Sequence, residues 1–134
     1  MKKKFHALII EDAGLVAEDY KVLLRKEGVE SIICSNGNEA KKIIENGDKF
    51  DFAIVDIVLP PEDSDNIDLE YGMRTGLRMI KLMKKHKTTN CFLVISIFDE
   101  LRKDVGRACK GSKWKFVSKR DCEPEIILKF VETL

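Results

Sequence analysis

The sequence predicts an α/β protein: a doubly wound (βα)5 domain with five parallel strands in one sheet. Short apolar runs of strand length alternate five times with segments whose apolar residues recur at helical spacing. Such alternation is typical of a parallel sheet with helices on both faces. The 134 residues, 44% apolar and 35% charged, suit a single domain spanning 1–134.

The first half of the chain supplies three strands and two helices. A helix follows the first strand and ends at Gly28, which is a common helix stop. A second helix is predicted with Asn38 as its N-terminal cap and Gly47 at its end. The predicted strands of this half are FHALII (5–10), SIIC (31–34) and FDFAIVDIV (50–58).

The second half continues the alternation. Asp99 is predicted to cap the fourth helix, which ends at Gly111, and Pro124 lies in the first turn of the last helix. The apolar positions that predict the third helix are Leu77, Ile80 and Met83. The predicted strands are CFLVISIF (91–98) and KFVS (115–118).

Charge and cysteine usage exclude several classes of protein. The formal net charge of +1 predicts no direct nucleic-acid partner. No apolar run reaches membrane-spanning length, and the N-terminal apolar run is too short for a signal peptide, so we expect a cytoplasmic protein without membrane contact. The four cysteines form no CxxC pair, which predicts thiols without a zinc site.

Polar side chains follow four of the five predicted strands. Glu11 and Asp12 end the first strand, Asp56 ends the third, Ser96 the fourth and Lys119 the fifth. In an open parallel sheet the carboxyl ends of the strands form the ligand site. The sequence therefore predicts that three carboxylates, a hydroxyl and an amine converge at one edge.

The chemistry of this set favours a metal-dependent phosphoryl transfer. Clustered carboxylates raise one another's pKa, and a divalent cation relieves the repulsion. Oxygen ligands with room for water favour Mg²⁺. With a metal ion and an ammonium group beside it, Asp56 can act as a nucleophile and become an acyl phosphate.

These residues resemble those of the receiver domains of two-component response regulators, and the resemblance covers essentially the whole chain. It implies a flavodoxin-like receiver fold and a phosphoryl group taken from a sensor histidine kinase or a histidine phosphotransfer protein. It also implies a conformational switch read by a downstream protein target, and no catalysis beyond the chain's own phosphorylation and dephosphorylation. The motifs that carry the resemblance are LIIEDAG, VDIVLP, VISIF and FVSKRD.

The resemblance assigns a role to each site residue. Asp56 accepts the phosphoryl group, Asp12 binds Mg²⁺ directly, and Glu11 helps hold it, through water. Asp56 and the backbone carbonyl of Val58 complete the implied metal ligands.

The remaining implied roles concern the phosphorylated state. Lys119 pairs with the phosphoryl oxygens. Ser96 moves to bond the phosphate, and Phe116 turns inward with it. Ser96 and Phe116 thereby form the implied switch.

The sequence departs from the family pattern in four places. The acidic pair is Glu-Asp rather than Asp-Asp, and a bulky Ile97 follows Ser96. Arg120 stands where the family has a proline after a cis peptide, so we expect a trans bond with a shifted loop, or a strained one. An acidic insertion, 61–75, precedes Gly76; it lacks the glycine of a calcium loop and is either a surface loop or a lid or docking segment.

Two alternatives stay open beside the receiver. A degenerate receiver would bind partners without being phosphorylated, and Ile97, Arg120 and the insertion favour it. A haloacid-dehalogenase-type phosphatase would need a second aspartate at position 58, where Val58 stands. Because the sequence ends at Leu134 after the fifth helix, we expect a protein contact or a phosphorelay step as output if the chain is whole.

Overall fold

A computed structural model describes residues 4–58 and 75–134 of the chain, and within them five strands form one parallel sheet. The strands are β1 (Phe5–Ile10), β2 (Val29–Cys34), β3 (Phe52–Asp56), β4 (Cys91–Ser96) and β5 (Lys113–Ser118). The helices are α1 (Gly14–Lys26), α2 (Gly37–Glu45), α3 (Thr75–Lys85), α4 (Arg102–Ala108) and α5 (Pro124–Glu132). The strand order β2-β1-β3-β4-β5 confirms the predicted doubly wound α/β fold.

The core has two apolar layers, one on each face of the sheet. Alternate strand residues point to opposite faces, so Leu8 and Ile10 pack in one layer and Ala7 and Ile9 in the other. Helices α2, α3 and α4 cover the first layer, and α1 and α5 cover the second. Because β3 and β4 lie inside the sheet, their residues are buried on both sides, which explains their continuous apolar runs.

The edge strands begin earlier than the sequence predicted. β2 begins at Val29 and β5 at Lys113, each two residues before the predicted start. Their first halves carry exposed residues, including Glu30 and Trp114, because one side of an edge strand faces no neighbour. An apolar run is therefore a poor marker of where an edge strand begins.

Two predicted helix caps are wrong. The cap of α2 is Asn36, whose extended backbone lets its side-chain oxygen accept the Glu39 N–H at 2.8 Å, whereas Asn38 lies inside the helix. Asp99 caps no helix: residues Asp99–Leu101 form a 3₁₀ turn that leads into α4. Pro124 does begin α5, as predicted.

Gly76 allows the start of α3 to lie directly against β3. A Cβ at this position would be 2.5 Å from the carbonyl oxygen of Asp56 and from the Cα of Ile57. The Gly76 N–H donates to the Ile57 carbonyl at 2.9 Å. Only glycine fits this approach, which fixes α3 beside the strand that carries Asp56.

The thiols and the lengths of the helices complete the description of the fold. The cysteines are unpaired: Cys34, Cys91 and Cys109 are buried and Cys122 is half-buried. Among the described residues, no helix combines the length and the apolar character needed to cross a membrane.

Candidate functional site

The candidate site lies at the carboxyl edge of the sheet, where the strands deliver the predicted residues. Glu11 directly follows β1, Asp56 is the last residue of β3, Ser96 the last of β4, and Lys119 directly follows β5. β1 and β3 are neighbours although β2 separates them in sequence, so the chain reverses its winding direction here. The site occupies the crevice that this reversal opens.

Lys119 joins two of the three carboxylates. Its Nζ lies 3.0 Å from Oδ2 of Asp56 and 3.0 Å from Oε1 of Glu11. The side chain of Lys119 is 27% exposed, whereas those of Glu11 and Asp56 are 2% and 6% exposed. Ion pairs of this kind are weakly screened by solvent, so they position the amine more firmly than surface pairs would.

The three carboxylates form one cluster. Glu11, Asp12 and Asp56 each offer an oxygen, and these oxygens lie within 4.8 Å of one another. Burial raises the pKa of Glu11, Asp56 raises it further, and Lys119 offsets only part of this rise. Burial and the adjacent Glu11 raise the pKa of Asp12. The cluster therefore carries unrelieved negative charge.

The pKa of Lys119 is also raised, which favours its charged form. Burial by itself lowers the pKa of Lys119, but the ion pairs with Glu11 and Asp56 outweigh it and raise the pKa above its ordinary value. The amine is thus protonated at neutral pH. One ammonium cannot balance three carboxylates, so the ionised site has a formal charge of about −2.

This donor set fits Mg²⁺. Carboxylate oxygens are the ligands that Mg²⁺ takes from proteins, and one or two of them with water are sufficient. Asp12 is exposed at the rim while Glu11 and Asp56 are buried beneath it, so a cation can reach the cluster from solvent. A divalent ion would also cancel the excess charge of the site.

Asp56 and Ser96 are held by nearby backbone groups. The Val58 N–H donates to Oδ1 of Asp56 at 3.1 Å, so both oxygens of Asp56 have a donor. The role predicted for the Val58 carbonyl stays a prediction. The buried Ser96 hydroxyl accepts the Phe98 N–H at 3.0 Å.

Phe116 is already buried in this structure. The residue is 5% exposed and packs in the layer under α4. The guanidinium carbon of Arg102 lies 4.5 Å from the ring centroid, which is a cation–π contact. The sequence analysis missed Arg102, because 14 positions separate it from Phe116 and no motif links them.

Three of the four departures from the family pattern lie within the described residues. The bond after Lys119 is trans, since the described residues contain no cis peptide, and Lys119–Asp121 form a 3₁₀ turn. The Lys119 amine still reaches Asp56 from this turn. Ile97 is 51% exposed. The predicted insertion, 61–75, lies outside the described residues except for Thr75.

Comparison with solved structures identifies the architecture. A receiver domain from Methanospirillum hungatei superposes with a TM-score of 0.74 and 20% identity, covering 98% of this chain and 93% of that one. A Francisella response regulator receiver domain gives 0.71 and 18%, covering 96% and 95%. This chain has the receiver fold of response regulators. No protein-family model and no curated protein matches the sequence.

One similar receiver structure also contains a metal. The response regulator TrrA from Thermotoga maritima was solved in complex with Mg²⁺-BeF, and it matches this receiver fold with a TM-score of 0.70 and 25% identity. The match covers 98% of this chain and all of TrrA. The expected receiver fold is therefore confirmed, while the roles of individual site residues stay predictions.

Proposed function

We propose that this chain is a response regulator receiver that accepts a phosphoryl group on Asp56 in a Mg²⁺-dependent reaction. The donor is a phosphohistidine on a sensor histidine kinase or a histidine phosphotransfer protein. The observation that carries the proposal is the 3.0 Å contact between the Lys119 amine and Asp56, two residues 63 positions apart, beside two further carboxylates. TrrA, solved with Mg²⁺-BeF, supports the same reading.

Asp56 acts as the nucleophile. One of its carboxylate oxygens attacks the phosphorus of the donor, the bond from phosphorus to the histidine nitrogen breaks, and the histidine leaves with that electron pair. The Val58 N–H and the Lys119 amine hold the two oxygens before attack, which fixes the carboxylate plane. The ammonium group of Lys119 then pairs with the phosphoryl oxygens as negative charge develops on them.

Asp12, Glu11 and Asp56 are the residues that would hold Mg²⁺. When bound, the ion supplies positive charge to the phosphoryl oxygens. The chain's own contribution is to keep three carboxylates close enough to share a cation in spite of their repulsion.

The output of the reaction is a change at the end of β4 and along β5. Ser96 exchanges its bond with the Phe98 N–H for one with the phosphoryl group. Phe116 and the Arg102 that covers it lie on the same side of the sheet, where a downstream protein target would sense the change. The chain catalyses its own phosphorylation and dephosphorylation and no other reaction.

Phosphoryl uptake from a small donor tests the proposal. Wild-type protein is incubated with Mg²⁺ and acetyl phosphate, and its intact mass is measured. Tryptophan fluorescence is a poor readout, because Trp114 lies beside Gly106 near the start of β5, whereas the site lies at the other end of that strand. We expect one added phosphoryl group, none in Asp56→Asn, and wild-type uptake in the matched control Asp48→Asn, which is exposed and outside the cluster.

The same experiment distinguishes a phosphorylated receiver from the degenerate-receiver alternative. Failure of the wild type to take up phosphate from acetyl phosphate, from phosphoramidate and from a phosphorylated histidine phosphotransfer protein would favour a partner-binding module. Three donors are needed because Ile97 would hinder some more than others.

A further inference from the structure

The basic residues of the chain are concentrated in one segment. Residues 102–120 contain eight lysines and arginines and a single acid, Asp104, so this segment has a formal net charge of +7, whereas the whole chain has +1. The segment consists of α4, the turn after it, β5 and the two residues that follow β5. A charge distributed so unevenly indicates a surface for an acidic partner, which the net charge of the whole chain conceals.

Most of these cations have no carboxylate partner among the described residues. Arg107 lies 3.4 Å from Asp104 and Arg120 lies 3.9 Å from Asp99, and the side chains of both arginines are largely exposed. In the part of the chain that the structure describes, three exposed lysines form no ion pair: Lys103, Lys110 and Lys115. Their charge is available to a binding partner.

β5 forms one edge of the described sheet, so one side of its backbone has no neighbouring strand. The Lys113 N–H donates to the Asn90 carbonyl at 3.0 Å, which places the backbone groups of Lys113 and Lys115 on the β4 side. Because successive residues of a strand direct their N–H and C=O groups to opposite edges, those of Trp114 and Phe116 point away from β4. An extended peptide can pair with such an edge as a further strand.

A cleft beside the second half of β5 gives a further strand room. Its volume is about 430 Å³, which is within the range of cavities that bind ligands. The residues that line it are Asp99, Arg102, 115–118, Asp121 and Ile126. Ser118 is only 8% exposed, and its hydroxyl has no hydrogen-bond partner among the described residues. Since buried polar groups in proteins are nearly always hydrogen-bonded, this hydroxyl indicates a partner group in the cleft.

Cations lie on both sides of the β5 edge. Phe116 packs in the layer under α4, and the guanidinium carbon of Arg102 lies 4.5 Å from its ring centroid on that side of the sheet. Lys113 and Lys115 point to the opposite side, as does Val117, which packs in the layer under α5. A strand paired with β5 would alternate its side chains between these two sides, so its acidic side chains would meet a cation on each.

A second copy of the chain and a nucleic acid fit this edge less well. Two copies paired through β5 would bring two segments of charge +7 together, and like charges on edge strands oppose such pairing. A nucleic acid offers no alternating backbone donors and acceptors to Trp114 and Phe116. Its phosphates would also pass Asp99 and Asp121, which follow the carboxyl ends of β4 and β5. A short acidic peptide segment has neither disadvantage.

We propose that the β5 edge binds an acidic, extended segment of a partner protein as a further strand of the sheet. The backbone groups of Trp114 and Phe116 pair with the segment, and the cations on either side of the edge select its acidic side chains. The Ser118 hydroxyl gains a hydrogen-bond partner. Binding requires neither Mg²⁺ nor a phosphoryl group, so this inference goes beyond the proposed function and is tested independently of it.

The probe is a fluorescein-labelled peptide of glutamate and threonine that carries glutamates on both faces of its extended form. Its binding to metal-free, unphosphorylated protein is measured by fluorescence anisotropy at low salt. A copy with methylated backbone nitrogens keeps the charges but cannot pair as a strand. Lys115→Glu reverses a charge beside the edge, and Lys41→Glu, at an exposed position of α2, is the matched control. Circular dichroism checks that both variants are folded.

We expect the methylated copy to bind at least about tenfold more weakly than the peptide. Lys115→Glu should weaken binding about fivefold and Lys41→Glu should leave it unchanged. In amide hydrogen exchange followed by NMR, the bound peptide should slow the exchange of the Trp114 and Phe116 amide protons. The Lys115 amide proton, which faces β4, should exchange as before.

Four outcomes would overturn the proposal. Equal binding of the methylated copy, or unchanged exchange at Trp114 and Phe116, would show that the peptide does not pair as a strand. No binding of the peptide would remove the site. Binding of an oligothymidylate as tight as that of the peptide would assign the surface to nucleic acid. A dimer of the free protein in analytical ultracentrifugation, dispersed by the peptide, would assign the edge to a second copy.

Discussion

At the scale of single residues, the buried carboxylate of Glu11 lowers the stability of the fold in order to place a negative charge in the site. Its side chain is almost fully buried next to another carboxylate, and burial and Asp56 both raise its pKa. A core built only for stability would place an uncharged side chain here. A cation bound by these carboxylates would relieve their repulsion.

This strain predicts a pH dependence. Because the pKa of Glu11 is raised in the native state, its stabilising contribution is present below its unfolded pKa, about 4.3. That contribution is lost as pH rises through the native pKa. In EDTA, the unfolding free energy of wild type relative to Glu11→Gln should therefore fall as the pH rises above the unfolded pKa of Glu11.

Urea denaturation at each pH measures this difference. Glu45→Gln, in an exposed position at the end of α2, is the control and should show no such trend. A wild-type advantage that grows with pH would contradict the account of Glu11.

The residues of the site were predictable from sequence because each stands where an apolar run ends. Asp56 and Lys119 were expected at one edge, and the structure brings them into contact. The bond between Glu11 and Lys119 was not predicted, since the sequence does not specify which of several acids a flexible lysine will meet. Arg102 over Phe116 was missed for the same reason.

At the scale of elements, the approach of α3 to β3 depends on Gly76. Gly76→Ala would place a methyl group 2.5 Å from backbone atoms of Asp56 and Ile57, and backbone cannot move aside as a side chain can. We expect a loss of about 2–4 kcal/mol in unfolding free energy and slower phosphorylation.

Gly106→Ala is the matched control for this change. Its Cβ would meet Trp114 at 3.5 Å, which is ordinary contact, and alanine favours the helix by about 0.5–1 kcal/mol. Chemical denaturation of both variants should give effects of opposite sign. Equal changes in unfolding free energy would mean that α3 packs less tightly against β3 at Gly76 than the structure shows.

The cap of α2 gives a second prediction at this scale. Asn36→Ala removes the acceptor of the Glu39 N–H and should cost about 1 kcal/mol, whereas Asn38→Ala, inside the helix, should be neutral or slightly stabilising. Thermal unfolding of the pair measures this, and a larger loss at Asn38 would contradict the assignment.

The same cap shows what sequence reasoning could have found. Glu39 stands three residues after Asn36 and its carboxylate accepts the Ser35 N–H at 3.5 Å, which is close to capping-box spacing. Asn38 has no such partner in the sequence. The starts of β2 and β5 were harder to place, because the exposed residues of an edge strand do not form an apolar run.

At the scale of the whole molecule, the fold brings together acids and an amine that are remote in sequence. Four of the five strands deliver a side chain to one edge, and the two apolar layers hold these strands in register. The alternation of elements was enough to predict this arrangement. Only the native fold brings these carboxylates together, so a cation bound by them would stabilise the fold as a whole.

Mg²⁺ should therefore raise the unfolding free energy, by about 2.7 kcal/mol at about 100 times its dissociation constant. Asp12→Asn should remove most of the gain, since it deletes the exposed carboxylate of the cluster, while Asp48→Asn should keep it. Thermal unfolding with and without Mg²⁺ measures the gain; an equal gain in both variants would place the ion elsewhere.

The most direct test of the central claim locates the phosphoryl group itself. Protein treated with acetyl phosphate and Mg²⁺ is reduced with borohydride, which converts an aspartyl phosphate to homoserine, and its peptides are sequenced by mass spectrometry. The account predicts homoserine at position 56, dependent on Mg²⁺ and abolished by EDTA. A reduced residue at any other position, or modification at position 56 that does not need a divalent cation, would contradict it.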